Sequence, residues 1–287
     1  MNAITTYSYT SADLKRLPFR PDESNKGTFG RVLCVCGSYG MAGAAYLAAK
    51  AALRSGAGLV EVLTVRENLP IIQTLIPEAI VTVYDNDAIE DNLIVNALSR
   101  ATVVVCGCGI GVSSTSRKLL AKILRESSVP TVLDADALNL LSKNPSFIKY
   151  TKNCIITPHP GEMSRLTGLS IDEILSDRIN VCRDYAKLRE LVCVLKTHST
   201  SVSDGSDKVF INSSGNNGMA TAGSGDVLAG IIGGLLAQNG QCRLTLTEIA
   251  ALGVYVHGLA GDAAAEKLGK RSLIASDIID ALPLILR

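Results

Sequence analysis

The chain has 287 residues and a formal net charge of +1; 47% of its residues are hydrophobic and 4% are aromatic. This length and composition suffice for one large α/β domain or two smaller ones. The near-neutral charge and the scarcity of aromatic side chains argue against general binding to nucleic acid or to a membrane surface. No stretch reaches the roughly 18–20 apolar residues of a membrane span. Met1–Arg20 lacks the order of a signal peptide, so we expect a cytoplasmic protein.

Strands and helices alternate from residue 31 to about residue 196, after a short helix expected near Ser11–Leu17. The predicted strands are Arg31–Cys36, Leu59–Thr64, Ile80–Tyr84, Thr102–Cys106, Pro130–Asp134, Cys154–Thr157 and Val192–Lys196. The predicted helices include Ala44–Gly56, Leu69–Leu75, Ile89–Ser99, Ser114–Glu126, one containing Ala137–Leu141, and the helix-rich stretch Asp172–Glu190. Nearly continuous apolar strands are typical of a parallel sheet covered on both faces. The alternation predicts a doubly wound, mostly parallel central sheet with helices on both faces, in one domain.

The last third of the chain has a different pattern. Ser201–Ser203 and Lys208–Ile211 read as a hairpin joined by a turn of about four residues. A glycine-rich loop and the apolar helix Val227–Leu236 follow. Two more helices are expected near Thr245–Leu268 and Ala275–Leu282, the second of which should end at Pro283 because proline cannot donate the next backbone hydrogen bond.

Most of the eight cysteines lie in or beside these apolar runs. Cys34 and Cys36, like Cys106 and Cys108, are two residues apart and would share one face of a strand, so a metal site is conceivable. None of these pairs has the two-residue spacer of common zinc sites. We therefore favour buried, unreactive thiols.

The loop Asn216–Asp226 carries glycines at 218, 223 and 225 and leads directly into the apolar helix. Such a loop aims unpaired backbone N–H groups and the positive end of the helix dipole at one point, where a phosphate fits. Asp226 would repel that phosphate unless the chemistry needs a proton acceptor, which suggests phosphoryl transfer with Asp226 as the base. The plainer alternative is an ordinary helix start, with Ser224 as N-cap and Asp226 as a first-turn acid.

Glycine turns and polar groups also follow several other predicted strands. They are Gly37–Gly43, Gly107–Gly111, Asp134 with Asp136, His159 with Glu162, and Lys196–Thr200. Groups at the carboxyl ends of parallel strands line the ligand crevice of an open sheet. Asp136 could instead cap a helix, and Pro160 with Glu162 could simply begin one.

Four segments of the chain together resemble one family: Lys26–Gly30, Met41–Ala45, Thr157–Glu162 and Asn217–Asp226. They resemble the nucleotide-dependent NAD(P)H-hydrate dehydratases of the ribokinase-like superfamily, and the resemblance extends from about residue 10 to residue 286. The His-Pro-Gly-Glu corner paired with the Gly-Ser-Gly-Asp loop is specific to the dehydratases, whereas the loop alone marks the wider superfamily. The resemblance implies a ribokinase-like fold. It also implies a single dehydratase domain over residues 1–287, with residues 1–25 as an N-terminal extension and no epimerase domain.

The activity implied by this resemblance is repair of hydrated NADH and NADPH. The terminal phosphoryl group of ADP would be transferred to the ring hydroxyl of the (6S)-hydrate, and elimination of phosphate would restore NAD(P)H and leave AMP. ADP is expected because the chain resembles stand-alone prokaryotic members; the ATP-dependent form stays open. Mg²⁺ is expected to neutralise phosphate oxygens. A homo-oligomer, a tetramer by resemblance, and a separate epimerase partner are also implied.

The resemblance assigns roles by position. Asp226 would be the catalytic base, and the amides of Gly223, Ser224 and Gly225 would form an anion hole. The hydrated dinucleotide would contact Ala44, Ala45, Gly109, His159 and Asp226. The nucleotide would contact Lys196, Thr197, His198, Ser199, Thr200 and Gly225. Glu162 stands where related kinases have an acid near Mg²⁺, although His159 replaces their usual asparagine.

Two other functions fit part of this pattern. A ribokinase-like kinase for a vitamin precursor or a sugar would share the Gly-Ser-Gly-Asp loop and release its phosphate ester intact. A nucleotide sensor without catalysis could use the same fold. Turnover of the hydrate, and its dependence on Asp226, would separate these functions from a dehydratase.

Overall fold

The computed structural model describes residues 4–287, so residues 1–3 of the predicted N-terminal extension lie outside it. Its centre is a ten-stranded sheet with the order β1-β10-β9-β8-β7-β6-β5-β2-β3-β4. The strands are β1 Thr5–Tyr7, β2 Arg31–Val35, β3 Leu59–Val65, β4 Ile80–Tyr84, β5 Val103–Cys106, β6 Thr131–Leu133, β7 Cys154–Ile156, β8 Val192–Leu195, β9 Ser201–Ser203 and β10 Lys208–Ile211. Within the described chain, β9 alone runs against the other strands. The prediction of a mostly parallel, doubly wound sheet is confirmed.

Helices cover both faces of this sheet. They are α1 Ala42–Arg54, α2 Leu69–Leu75, α3 Asp91–Leu98, α4 Ser114–Glu126, α5 Asp136–Lys143, α6 Pro160–Thr167, α7 Ile171–Ser176, α8 Arg178–Arg189, α9 Ser224–Ala237, α10 Leu246–Leu268 and α11 Ala275–Ile285. Alternate residues of each strand point to opposite faces. In β2, Val32 and Cys34 join the core under α1, α2, α9, α10 and α11. Leu33 and Val35 join the core under α3 to α8. This double coverage explains why the strands are apolar on both sides. No helix of residues 4–287 is long and apolar enough to cross a membrane.

Helix α9 is enclosed by its neighbours, and every residue from Val227 to Ala237 is buried. Glycines allow this close packing. A Cβ atom at Gly230 would lie 2.2 Å from the carbonyl oxygen of Ala48 in α1, and one at Gly233 would lie 2.4 Å from Cγ2 of Val105 in β5. The helix therefore contacts both α1 and the sheet at short range, which fixes the position of its first turn.

The N-terminal segment differs from its prediction. Strand β1 was missed because its sequence, Thr-Thr-Tyr, has too few apolar residues to show a pattern, yet it pairs in parallel with β10. The Tyr9 ring packs on Phe210 with centroids 4.7 Å apart. The helix expected near Ser11–Leu17 is a 3-10 helix over Ser11–Arg16.

The prediction that Pro283 ends the last helix is wrong. Helix α11 continues to Ile285, and the N–H of Leu286 still donates to the carbonyl oxygen of Leu282. Because Pro283 lies only two residues before the end of α11, its missing N–H removes one hydrogen bond near a terminus and leaves the preceding turns intact.

Candidate active site

The carboxyl ends of β6, β7 and β8 meet the first turn of α9 around a cavity of about 820 Å³. Most of the predicted site residues line it: His159, Glu162, Lys196, Thr197, His198, Thr200, Gly223, Ser224, Gly225 and Asp226. Ser199 does not line it; its hydroxyl group donates instead to the carbonyl oxygen of Asn212, at 3.1 Å. Ala44, Ala45 and Gly109 also lie outside the lining. One cavity thus collects strand ends that are far apart in sequence.

The start of α9 depends on glycine. Gly223 is the N-cap and has φ of 86°, and a Cβ atom there would lie 2.3 Å from Cδ1 of Leu47. The N–H groups of Gly223 and Gly225 have no protein acceptor in the described chain, whereas the N–H of Ser224 donates to the carbonyl oxygen of Thr221 over 3.4 Å. Two of the three amides in the predicted anion hole are therefore free, at the positive end of a helix dipole.

Asp226 lies in the first turn of α9. Its carboxylate, the carboxylate of Asp134 and the thiol of Cys108 lie within 4.8 Å of one another. Burial, and next the charge of Asp134, raise the pKa of Asp226 to about 6. The sequence did not predict this rise. A carboxyl group with such a pKa is a stronger proton acceptor than an ordinary aspartate, yet still ionises near neutral pH.

Lys196 provides a partly buried cation beside the carboxylates of Asp134 and Glu162. Its Nζ lies 2.7 Å from Oδ1 of Asp134 and 3.9 Å from Oε2 of Glu162. Burial alone would lower the pKa of Lys196, but the two carboxylates outweigh it and the net direction is upward. The ammonium group therefore stays charged. A Cβ atom on Gly225 would be 3.2 Å from it, so the charge lies directly under the first turn of α9.

His159 and Glu162 begin helix α6. The N–H of His159 donates to Oε2 of Glu162 at 2.8 Å, and the N–H of Gly161 donates to Nδ1 of His159 at 3.0 Å. The plainer interpretation of this corner, a capped helix start, is thus true of its hydrogen bonds. Burial, followed by the charge of Lys196, lowers the pKa of His159. Burial raises the pKa of Glu162 to about 7.

The remaining predicted residues lie outside the cavity lining, around the loop after β5. Gly109 has φ of 66°, and a Cβ atom there would be 2.9 Å from the Cβ of Ala44, so the loop after β5 abuts the first turn of α1. The N–H of Gly37 donates to the carbonyl oxygen of Cys108 at 2.8 Å. Because the Cys108 thiol is close to the Asp226 carboxylate, and Asp226 also lines the cavity, Asp226 adjoins both the loop after β5 and the cavity.

The cysteine pairs do not behave alike. Cys34 and Cys36 share one face of the sheet, as expected. Cys106 and Cys108 lie on opposite faces, contrary to the prediction, because Gly107 adopts φ of 125° and ends the strand between them. All eight thiols are free, and seven of them are buried. Burial raises the pKa of Cys106 far above its usual range, so that thiol is unreactive.

Two residues that contribute to the site were not among the site residues predicted from the sequence. Asp134 was noted only as a strand-end acid, yet it accepts hydrogen bonds from both Lys196 and Thr157, at 2.7 Å each. His257, on α10, lines the cavity with Nε2 3.4 Å from Oγ of Ser224. Burial lowers its pKa to about 4, so its ring is neutral. A single histidine within the apolar run Ile249–Gly261 of α10 was the available signal for it.

The donor set suits a hard cation such as Mg²⁺. Glu162 is buried, and its Oε1 accepts no hydrogen bond in the described chain, although Nε2 of His159 is 3.5 Å away. Mg²⁺ prefers such carboxylate oxygens, usually with water and substrate phosphates as its other ligands. The residues present therefore fit the ion expected from the sequence.

Comparison with known proteins gives the context of this geometry. The model of a family described as NAD(P)H-hydrate dehydratase matches residues 32–284. The bifunctional NAD(P)H-hydrate repair enzyme Nnr of Coxiella burnetii is 45% identical over 266 residues, which are 93% of this chain and 52% of that protein. The ADP-dependent (S)-NAD(P)H-hydrate dehydratase of Neisseria meningitidis is 40% identical over 268 residues, which are 91% of this chain and 86% of that protein. The chain thus spans about half the length of the bifunctional relatives it matches.

Solved structures show the same fold. A ribokinase-like superfamily protein of Enterococcus faecalis superposes with a TM-score of 0.87 at 31% identity, covering 98% of this chain and 95% of its own. The ADP/ATP-dependent NAD(P)H-hydrate dehydratase of Bacillus subtilis, co-crystallised with ATP and Mg²⁺, superposes with a TM-score of 0.80 at 28% identity, covering 96% of each chain. The fold predicted from the sequence is confirmed as ribokinase-like.

Proposed function

We propose that this chain, which belongs to the NAD(P)H-hydrate dehydratase family, repairs hydrated NADH and NADPH with ADP as phosphoryl donor. One observation carries the proposal: the Asp226 carboxylate lies in the first turn of α9, near the free amides of Gly223 and Gly225, where it lines the cavity and is close to Cys108 of the loop after β5. An acid at an anion-binding helix start is useful where an alcohol must lose its proton to attack a phosphorus atom.

In the proposed reaction the ring hydroxyl of the (6S)-hydrate is the nucleophile. Its oxygen forms a bond to the terminal phosphorus of ADP, the bond from that phosphorus to the bridging oxygen breaks, and AMP leaves with the electron pair. Asp226 accepts the hydroxyl proton. The C–O bond of the phosphorylated ring then breaks, phosphate leaves with the electron pair, and the adjacent ring carbon loses a proton to water, which restores the double bond. Phosphorylation is needed because hydroxide is a poor leaving group.

The residues around Asp226 have supporting roles in this proposal. The amides of Gly223, Ser224 and Gly225 stabilise charge on the transferred group, although the Ser224 amide must first give up its weak bond to Thr221. The Lys196 ammonium balances charge beside the nucleotide, and Thr197, His198, Ser199 and Thr200 form the strand-end segment that contacts it. Glu162 would hold Mg²⁺. When bound, the ion would neutralise phosphate oxygens.

The residues proposed to bind the dinucleotide are assigned by their positions in the sequence. Ala44, Ala45, Gly109 and His159 would hold the hydrated dinucleotide, with Asp226 reaching it from the cavity side. Two of these residues, Ala44 and Gly109, are in van der Waals proximity.

A cytoplasmic location fits eight free thiols, since disulfides persist mainly in oxidising compartments. Assembly as a tetramer and cooperation with a separate epimerase stay predictions from resemblance.

The direct test is turnover. Purified protein incubated with Mg²⁺, ADP and hydrated NADH should restore the absorbance of reduced nicotinamide and release AMP and phosphate in equal amounts. The same assay with ATP distinguishes the two donors, and hydrated NADPH distinguishes the two substrates. A stable phosphorylated product without recovery of absorbance would show a kinase instead. Nucleotide binding without any turnover would show a sensor.

Activity should fall in acid because the base must be ionised. The groups that face Asp226 are Asp134 after β6, Cys108 after β5, Lys196 after β8 and Asp136 in α5. Since burial and Asp134 raise the pKa of Asp226 to about 6, kcat/KM for the hydrate at saturating ADP and Mg²⁺ should be constant above about pH 8, where Glu162 is ionised as well. Below about pH 6, the value should decrease by at least about tenfold per pH unit. A profile that is flat between pH 5 and pH 8 would contradict Asp226 as the base.

A further inference from the structure

A chain of hydrogen bonds joins the glycine loop after β5 to helix α6. Oδ2 of Asp136 accepts from the N–H of Gly111 at 2.8 Å, and Oδ1 of Asp136 accepts from Nδ2 of Asn139 at 3.3 Å. Oδ1 of Asn139 in turn accepts from Nε of Arg165 at 2.9 Å. These hydrogen bonds therefore connect the loop that carries Gly109 with the helix that begins at His159. None of these three side chains has a role in the proposed reaction.

The backbone at the start of this chain of bonds is strained. Ala135, between β6 and α5, has φ of 49° and ψ of −114°, a conformation that residues other than glycine rarely adopt. Asp134 before it bonds to Lys196, and Asp136 after it bonds to Gly111. Strain of this kind persists only where the surroundings enforce it. Here the strained residue, Ala135, lies between Asp134, which bonds to Lys196, and Asp136, which bonds to the loop after β5.

Arg165 is the outer end of this series of hydrogen bonds. The residue is exposed, its Nε is bound to Asn139, and its two terminal nitrogens have no protein acceptor within residues 4–287. A Cβ atom on Gly161 would lie 2.8 Å from Cε1 of His159 and 3.8 Å from Nη1 of Arg165. The guanidinium group is thus anchored at one nitrogen, open at the other two, and beside the histidine expected to contact the dinucleotide.

We propose that Arg165 binds a phosphate group of the hydrated dinucleotide, with Asn139 and Asp136 as the residues that position its guanidinium group. This inference rests on the proposed function. A dinucleotide brings a pyrophosphate, and NADPH brings a further 2′-phosphate. The centre of the site offers these groups little positive charge, because Lys196 already faces two carboxylates. A planar guanidinium with two free nitrogens is suited to pairing with phosphate oxygens.

The test compares Arg165→Gln with the wild-type enzyme on hydrated NADH and hydrated NADPH. Loss of a charged hydrogen-bond pair should raise KM roughly 10- to 100-fold, with kcat and the KM for ADP within about twofold of wild type. A rise for both substrates assigns Arg165 to the pyrophosphate, and a rise for hydrated NADPH alone assigns it to the 2′-phosphate. An unchanged KM for both overturns the inference.

Two further variants sharpen this result. Asn139→Ala removes the acceptor for Nε, so KM should rise less than in Arg165→Gln while kcat stays unchanged, as expected of a positioning residue. Arg125→Gln is the matched control, because Arg125 is also an exposed helical arginine but lies in the last turn of α4. Its KM values should equal those of wild type. A similar KM rise in this control would overturn the specific role of Arg165.

Failure of the proposed function can be separated from failure of this subsite. Titration calorimetry with NADP⁺ and NAD⁺ measures phosphate recognition without catalysis. If wild-type protein does not turn over the hydrates but Arg165→Gln weakens NADP⁺ binding about tenfold or more, the subsite stands and the dehydratase proposal fails. If turnover is present while Arg165→Gln changes neither KM nor the Kd for these dinucleotides, the subsite alone fails.

Discussion

Replacing Asp226 by asparagine is expected to lower kcat for the hydrate by about 10³-fold, the middle of the range for a lost general base. The amide has nearly the same shape as the carboxylate but cannot take the hydroxyl proton. ADP should still bind with a Kd within about threefold of wild type, because the amides and Lys196 are unchanged. The measurements are rapid-mixing turnover of hydrated NADH and calorimetric titration with ADP.

The folded state should tolerate this change. Burial and the charge of Asp134 disfavour the ionised form of Asp226, and a neutral amide removes that repulsion above about pH 6. Asp91→Asn is the matched control, since Asp91 is also a first-turn helical aspartate but pairs with Lys118 on the surface. Its kcat should equal that of wild type. Undiminished kcat in Asp226→Asn would remove the base from the mechanism.

Replacing Lys196 by methionine should have the largest effect on stability. The side chains of Asp134 and Glu162 are 2% and 6% exposed, and the substitution leaves both carboxylates without their cation. Removing one partner of a buried ion pair costs about 3–5 kcal/mol. We expect a loss of about 3 kcal/mol in the free energy of unfolding at pH 8, because the Lys196 side chain itself keeps some contact with solvent. Urea unfolding measures this loss.

The same substitution allows a test of the cause. In the double variant Lys196→Met with Asp134→Asn, one of the two buried charges is gone, so part of the lost stability should return. Lys118→Met serves as the control, because Lys118 pairs with Asp91 on the surface, where such a pair contributes at most about 1 kcal/mol. Equal losses in Lys118→Met and Lys196→Met, or no recovery in the double variant, would contradict the proposed charge balance.

The inner strands β2, β3 and β5 to β8 could be predicted because each lies between two layers of helices and is largely apolar on both faces. At the edges of the sheet this condition is lost, and there the pattern is weaker. β1 is a short edge strand of polar residues whose pairing depends on β10, about 200 positions away. The end of α11 was wrongly predicted for a different reason. The rule that proline ends a helix was applied at Pro283, which lies so near the helix terminus that its missing N–H has little effect.

In the site, the position of Asp226 could be predicted because glycine turns and a helix start are local features. The Asp134–Lys196 pair could not, since its partners are 62 positions apart and meet only because β6 and β8 end at the same edge. His257 is brought to the cavity by the packing of α10. The raised pKa of Asp226 likewise comes from burial and from Asp134, and neither is visible in the Gly-Ser-Gly-Asp sequence.

Helix α9 has little freedom to shift, because Gly230 and Gly234 bring it against carbonyl oxygens of α1 and Gly233 brings it against Val105 of the sheet. A rotation of α9 by even a fraction of a turn would put larger side chains of the helix where these glycines now contact α1 and the sheet. The position of Asp226 at the start of α9 is therefore fixed. In the proposed reaction, the alcohol and the phosphorus atom would then become aligned through movement of the two bound molecules. Rate differences among substrates should then reflect how well each molecule seats against an immovable carboxylate.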